Sequence, residues 1–170
     1  MIISEKKLKE LELVLSRDNQ LMVTETIKSL RNEMPFKGAI GLLVSYYDRT
    51  NDNSVKKLIT DFLNDLKDKS AIEEVMAGLR KKTRPDTRRM LICSCWQSGL
   101  DYSGYSSEFV RYFLDEDYMT AVECFTVIES FVNKITRNKK DELLKILRQK
   151  PSEELKEKQS LTRELISVLS

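Results

Sequence analysis

A short turn carrying an aspartate recurs along this chain at nearly constant spacing. It appears as Ser16-Arg17-Asp18-Asn19, Thr50-Asn51-Asp52-Asn53 and Arg84-Pro85-Asp86-Thr87, with 34 residues from Asp18 to Asp52 and 34 more to Asp86. A fourth turn, Asp115-Glu116-Asp117, follows 31 residues after Asp86, and Ser152 of Lys150-Pro151-Ser152 lies 35 beyond Asp117. Self-similarity at such a period marks a chain built from stacked supersecondary units. Asp, Asn and Ser suit the position because their side chains accept from the free N–H groups of a helix's first turn. Pro85 and Pro151 suit it because proline is tolerated at a helix start and excluded from its interior.

The segments between the turns read as helices. Val23, Ile27, Leu30 and Met34 step by four, three and four; Val55, Ile59, Phe62 and Leu66 do the same, as do Ala121, Phe125, Ile128, Val132 and Ile135. Each set lines one side of a 3.6-residue helix, and no strand-length window sustains period-two alternation. With 5 Gly and 3 Pro, the chain has too few punctuators for many β-hairpins. The expected fold is all-α, with five antiparallel helical hairpins over roughly 4–33, 35–67, 70–99, 103–136 and 138–169. A two-helix hairpin cannot bury both apolar faces alone, so neighbours stack to supply the core. The whole of 1–170 is read as one repeat domain, with an irregular helical bundle as the alternative.

The turn and second helix of each unit, as in Arg84-Pro85-Asp86-Thr87-Arg88-Arg89-Met90-Leu91 and Asp115-Glu116-Asp117-Tyr118-Met119-Thr120-Ala121-Val122, resemble those of the HEAT-repeat, armadillo-like family. The resemblance covers nearly the whole chain and rests on period and turn placement, since the Val-Arg pair typical of that second helix is absent in clean form. It implies an α-solenoid, a superhelix of α-helical hairpins with the second helices on its concave side. The Trp-x-x-Leu-Gly-x-x-Tyr of tetratricopeptide units and the Thr-Pro-Leu-His of ankyrin units are both missing.

Composition narrows the function classes. There is no histidine, which removes the commonest general base and zinc ligand together. Cys93, Cys95 and Cys124 are an odd number without metal or redox spacing, and read as small core hydrophobes. The carboxylates of Asp115, Glu116 and Asp117 read as helix capping rather than a metal site. No glycine-rich phosphate loop or nucleophile elbow occurs. No cofactor, no metal and no enzymatic activity are expected. With 29 basic against 27 acidic residues the net charge is +2, which exerts no global pull on nucleic acid or membranes. No run of 18 apolar residues and no signal-peptide core are present, so a cytoplasmic monomer without membrane contact is expected.

Two sets of residues remain as binding candidates. On the helix after Pro85, Arg89, Ile92, Cys93 and Trp96 fall on the side opposite Met90, Leu91, Ser94, Cys95 and Ser98. If that side is the concave one, Arg89, Ile92 and Trp96 form a contact patch, Trp and Arg being favoured interface anchors; otherwise Trp96 packs between repeats. The second set is basic: Arg84, Arg88 and Arg89 lie in the densest cationic stretch, 80–89, as anion or nucleic-acid contacts or as a solvated turn. Tyr102 and Tyr105, in a glycine-bounded loop, either extend the patch or pack at a hinge. The primary expectation is a scaffold or adaptor that binds a protein or peptide. The alternative is a nucleic-acid-binding protein resembling the HEAT-like DNA alkylation-repair glycosylases, for which Trp96, Asp101 and Arg84, Arg88 or Arg89 would be the corresponding residues.

Overall fold

The computed structural model describes residues 4–33, 36–149 and 157–170. Met34 of the first apolar stripe and the expected turn at Lys150-Pro151-Ser152 lie outside them. The described residues form ten α-helices: α1 (Glu5–Arg17), α2 (Gln20–Leu30), α3 (Ala39–Arg49), α4 (Asn53–Asn64), α5 (Ala71–Leu79), α6 (Pro85–Gln97), α7 (Ser106–Asp115), α8 (Tyr118–Phe131), α9 (Arg137–Arg148) and α10 (Gln159–Leu169). The protein is all-α. It divides into two compact units, Met1–Leu100 and Asp101–Ser170, with the boundary in the glycine-bounded connection after α6.

Capping residues decide where the second helices begin. Asn19, Asp52 and Asp117 are the N-caps of α2, α4 and α8, and each side chain accepts a backbone N–H of the first turn, from Met22, from Ser54 and Val55, and from Thr120. Arg84 holds the same place before α6, with Pro85 as the first helical residue. These four caps are spaced by 33, 32 and 33 residues, tighter than the aspartate spacing in the sequence. The aspartates themselves are not equivalent. Asp18 ends α1 in the left-handed region (φ 52°), Asp52 caps α4, and Asp86 lies inside the first turn of α6. Side-chain caps contribute about 1 kcal/mol. Asp52→Ala, which removes two acceptor contacts at once, is therefore expected to lower the unfolding free energy by about 1–2 kcal/mol in denaturant titration.

In the first unit, α1 packs on α3 and α3 on α5, while α2 packs on α4 and α4 on α6; each helix also meets its hairpin partner. In the second unit α7 packs on α9 and α8 on α10, again with the hairpins α7–α8 and α9–α10 closed. Val23, Ile27, Val55, Ile59, Phe62 and Leu66 are buried in the first unit, and Ala121, Phe125, Ile128 and Val132 in the second. Polar ties between helix pairs recur at separations near the same period. Examples are Arg49 to the Leu15 carbonyl (34 residues apart), the Arg84 amide to Asp48 (36) and Ser107 to Glu142 (35).

Helix C-termini, which leave carbonyls without intrahelical partners, are met by cations from other elements. The Arg49 guanidinium donates to Leu15 at 2.6 Å in α1, and the Lys67 ammonium to Ser98 at 2.9 Å after α6. Lys158 donates to Phe113, Leu114 and Glu116 at 2.9, 2.9 and 2.8 Å, closing α7. At the N-terminus of α3, Gly38 takes φ 93° and its N–H donates to the Glu74 carboxylate at 2.7 Å.

Candidate functional site

The sequence-derived surface on α6 comes apart in the structure. Ile92 is 0% exposed, and Met90 and Leu91 are buried too. Residues two apart point about 200° apart on a helix, so α6 is covered on more than one side. Within the first unit it packs against α3, α4 and α5, and this fixes Ile92 as core rather than contact surface. Trp96 is half-buried, and Arg89 is exposed one helical face away from the interior. Cys95 and Cys124 are buried and Cys93 is half-buried. Tyr102 is only 2% exposed and meets the Phe109 ring edge-on at 6.1 Å, so it is a packing residue of the second unit.

Asp101, the carboxylate of the glycosylase-like set, is engaged locally. It accepts from the Ser103 amide at 3.1 Å and pairs with Lys134 at 3.7 Å. The Ser103 amide, more than Lys134, holds its carboxyl below the usual range, against the opposing effect of burial. A carboxylate so stabilised in its charged form is a poor proton acceptor. Among the described residues no three His, Cys, Asp or Glu side chains are grouped so as to hold a metal ion. No helix among them is long and apolar enough to cross a membrane.

The basic stretch forms an elbow between α5 and α6. Lys81, Lys82, Arg84 and Arg89 are exposed, and their side chains make no ion pair or hydrogen bond among the described residues. Arg88 is half-buried and reaches back across the elbow to the Lys81 carbonyl at 3.4 Å. Asp86 is already neutralised: Lys56 donates to it at 2.7 Å while lying 4.7 Å from the centre of the Tyr47 ring. The Lys56 hydrogen bond is the chief cause that holds the Asp86 carboxyl below its ordinary range. Burial pushes the Tyr47 phenol up, partly offset by the Lys56 charge.

One recess in the first unit was not singled out from sequence. It is a groove of 460 Å³ at the C-terminal ends of α2 and α4, floored by Leu30, Phe62 and Leu66. Its rim is charged but internally matched. Arg31 bridges to Asp65 across the two helices, and Lys67 is turned onto the Ser98 carbonyl. Glu33 accepts from the Lys7 ammonium at 2.5 Å, the leading cause of its lowered pKa. A second recess of 290 Å³ opens on the other side of α2, walled by Leu11, Val14 and Phe36, and it shares Leu30 and Glu33 with the groove. The two recesses meet at Leu30 and Glu33, a trough of two parts at the end of α2 with α1 lining one and α4 the other.

The groove lies at the ends of the apolar stripes of α2 and α4. Leu30 ends the α2 stripe half-buried, and Phe62 and Leu66 end the α4 stripe. Comparison adds no family: no protein-family model matches the chain, and no curated protein or solved structure matches it either.

Proposed function

We propose that the chain is a HEAT-like stack of helical hairpins that works as a non-enzymatic scaffold, holding an extended or helical peptide segment of a protein partner. The observation that carries this reading is the trough along the end of α2. It is apolar at its floor, ringed by charges already satisfied within the protein, and large enough to take several side chains. Its supporting context is the packing order within each unit, first helix on first helix and second on second. The trough is lined mainly by α1, α2 and α4, so a bound segment would run across successive hairpins.

Random twelve-residue peptides displayed on phage and selected on the full chain test the reading. Enriched sequences are expected to share apolar anchors. A synthetic representative should bind at least tenfold more weakly to Leu30→Arg, which places a charge in the wall shared by both recesses. Unfolding free energies of the two proteins should agree to within about 0.5 kcal/mol. Failure to enrich any sequence, or equal binding to Leu30→Arg, sinks the proposal.

A further inference from the structure

We infer that the α5–α6 elbow is a second docking surface on the same scaffold, one that takes a short acidic or phosphorylated peptide segment. This rests on the reading of the chain as a protein-binding scaffold and adds the charge class of its partner. Lys81, Lys82, Arg84 and Arg89 are exposed cations without an internal counter-charge among the described residues. Arg88 is drawn into the same elbow by its bond to the Lys81 carbonyl, and Lys56 by its bond to Asp86. The carboxylates beside these cations are engaged, Glu73 by Arg80 at the end of α5. Asp86 is bound by Lys56, and Asp48 accepts the Arg84 amide at 2.8 Å.

At the α1–α2 turn Asp18 accepts from the Tyr46 hydroxyl at 2.5 Å, and at the α3–α4 turn Asp52 caps its helix. Arg49, the cation of that second turn, is folded over the Tyr46 ring at 4.9 Å and spent on the Leu15 carbonyl. Of these three turns, the elbow is the one where several cations face solvent together among the described residues. The N–H groups of α6 are not the attraction, because Pro85 has none and Asp86 already places a carboxylate in that first turn. The side chains are. Arginine forks bind carboxylate and phosphate in bidentate fashion, and such bonds are the strong ones.

The size of the patch decides what fits. A tightly held duplex is gripped through about 6–10 phosphate contacts along a stripe. Here the positive ground is confined to the α5–α6 elbow and borders carboxylates at Asp48 and Asp86. A peptide carrying a few negative groups matches that extent, and clusters of arginine are how such segments are read.

The test uses fluorescence anisotropy on the full chain with three labelled octapeptides, bearing four glutamates, four phosphoserines or four serines. The two anionic peptides are expected to bind and the uncharged one not, and their relative affinities tell which anion the elbow prefers. Binding should weaken at least tenfold in Lys82→Glu/Arg84→Glu/Arg89→Glu. It should be unchanged in the charge-matched Lys140→Glu/Lys145→Glu/Arg148→Glu, whose side chains lie on α9. The neutral pair Arg84→Gln/Arg89→Gln, far gentler on folding, should give a smaller loss in the same direction. Equal weakening by both charge-reversal triples would reduce the effect to net charge and overturn the inference. A 20-base-pair duplex bound at least tenfold more tightly than either peptide, and lost in the elbow triple, would overturn it in favour of nucleic acid. Leu30→Arg separates the two surfaces: if it abolishes selected-peptide binding while the anionic octapeptides still miss the elbow, the inference alone has failed. If the elbow binds and the trough does not, the scaffold reading is what must change.

Discussion

Lys158→Met is expected to lower the unfolding free energy by about 2–4 kcal/mol, the loss appearing in guanidinium chloride titration as a shifted midpoint. The side chain is 7% exposed, and its ammonium donates to the carbonyls of Phe113, Leu114 and Glu116, all within 2.9 Å. Methionine keeps the length and apolar stem but removes every donor, leaving three carbonyls at the end of α7 to be satisfied otherwise. An acceptor stranded in the interior costs about 1–3 kcal/mol. Loss of a cation at a helix C-terminus adds up to about 2 kcal/mol in partly buried geometry.

An opposing effect keeps the total below the sum of these. The native protein desolvates a charge at Lys158, and methionine removes that penalty. The partners left behind are neutral carbonyls rather than an unpaired ion, so the balance still falls on the side of destabilisation. Lys158→Arg tests the geometry: it keeps the charge, but a planar fork cannot converge three donors from one atom. An intermediate loss is expected for it. If Lys158→Met costs under about 1 kcal/mol, the three carbonyls are reached by water and the bond set is not structural.

Much of the fold could be read from residue types because it follows from local rules. Asn19, Asp52 and Asp117 act at helix starts through their own side chains, and the apolar stripes of α2, α4 and α8 bury the residues their periodicity selects. What misled was alignment on a residue type. Asp18 and Asp86 sit near helix ends for other reasons, one as a left-handed C-cap and one as the partner of Lys56, so the true spacing belongs to the caps.

Ile92 was misplaced because a helix wheel divides a helix into two faces, while α6 is covered on more than one by α3, α4 and α5. Tyr102 looked like a loop residue because its burial depends on Phe109, met across the turn of Ser103–Tyr105 rather than along a helix. Lys158 carried no signal at all: a lysine in a polar stretch is the ordinary sign of a solvated end, and its partners lie 42 to 45 residues away. The trough was hidden for the opposite reason. Leu30, Phe62 and Leu66 read as core, and Phe62 and Leu66 are indeed buried, while Leu30 at the end of α2 is only half-buried and all three line the groove. Periodicity tells which face is apolar, and it does not tell how far along the helix that face is covered.

Phe109→Ala is expected to cost about 3–5 kcal/mol, enough to approach the whole stability of a small domain. Its ring is 0% exposed in α7 and lies within 6.1 to 6.5 Å of three others, from Tyr102, Tyr112 and Phe131. The Tyr102 and Tyr112 contacts are edge-on, the favoured arrangement for aromatic pairs, each worth about 0.5–1.5 kcal/mol beyond area. Alanine removes all three contacts and leaves a void. Relaxation is limited because Phe113, one turn along α7, and Phe131, on α8, are themselves fully buried. Phe109→Leu retains most of the volume and should cost less than half as much, since it loses the ring pairs but fills the site. The measurement is denaturant unfolding of both variants, with hydrogen exchange of the α7 amides as the local readout. A Leu cost as large as the Ala cost would mean that ring geometry, not filled volume, holds this unit together. An Ala cost under about 2 kcal/mol would mean that the aromatic cluster closes over the gap.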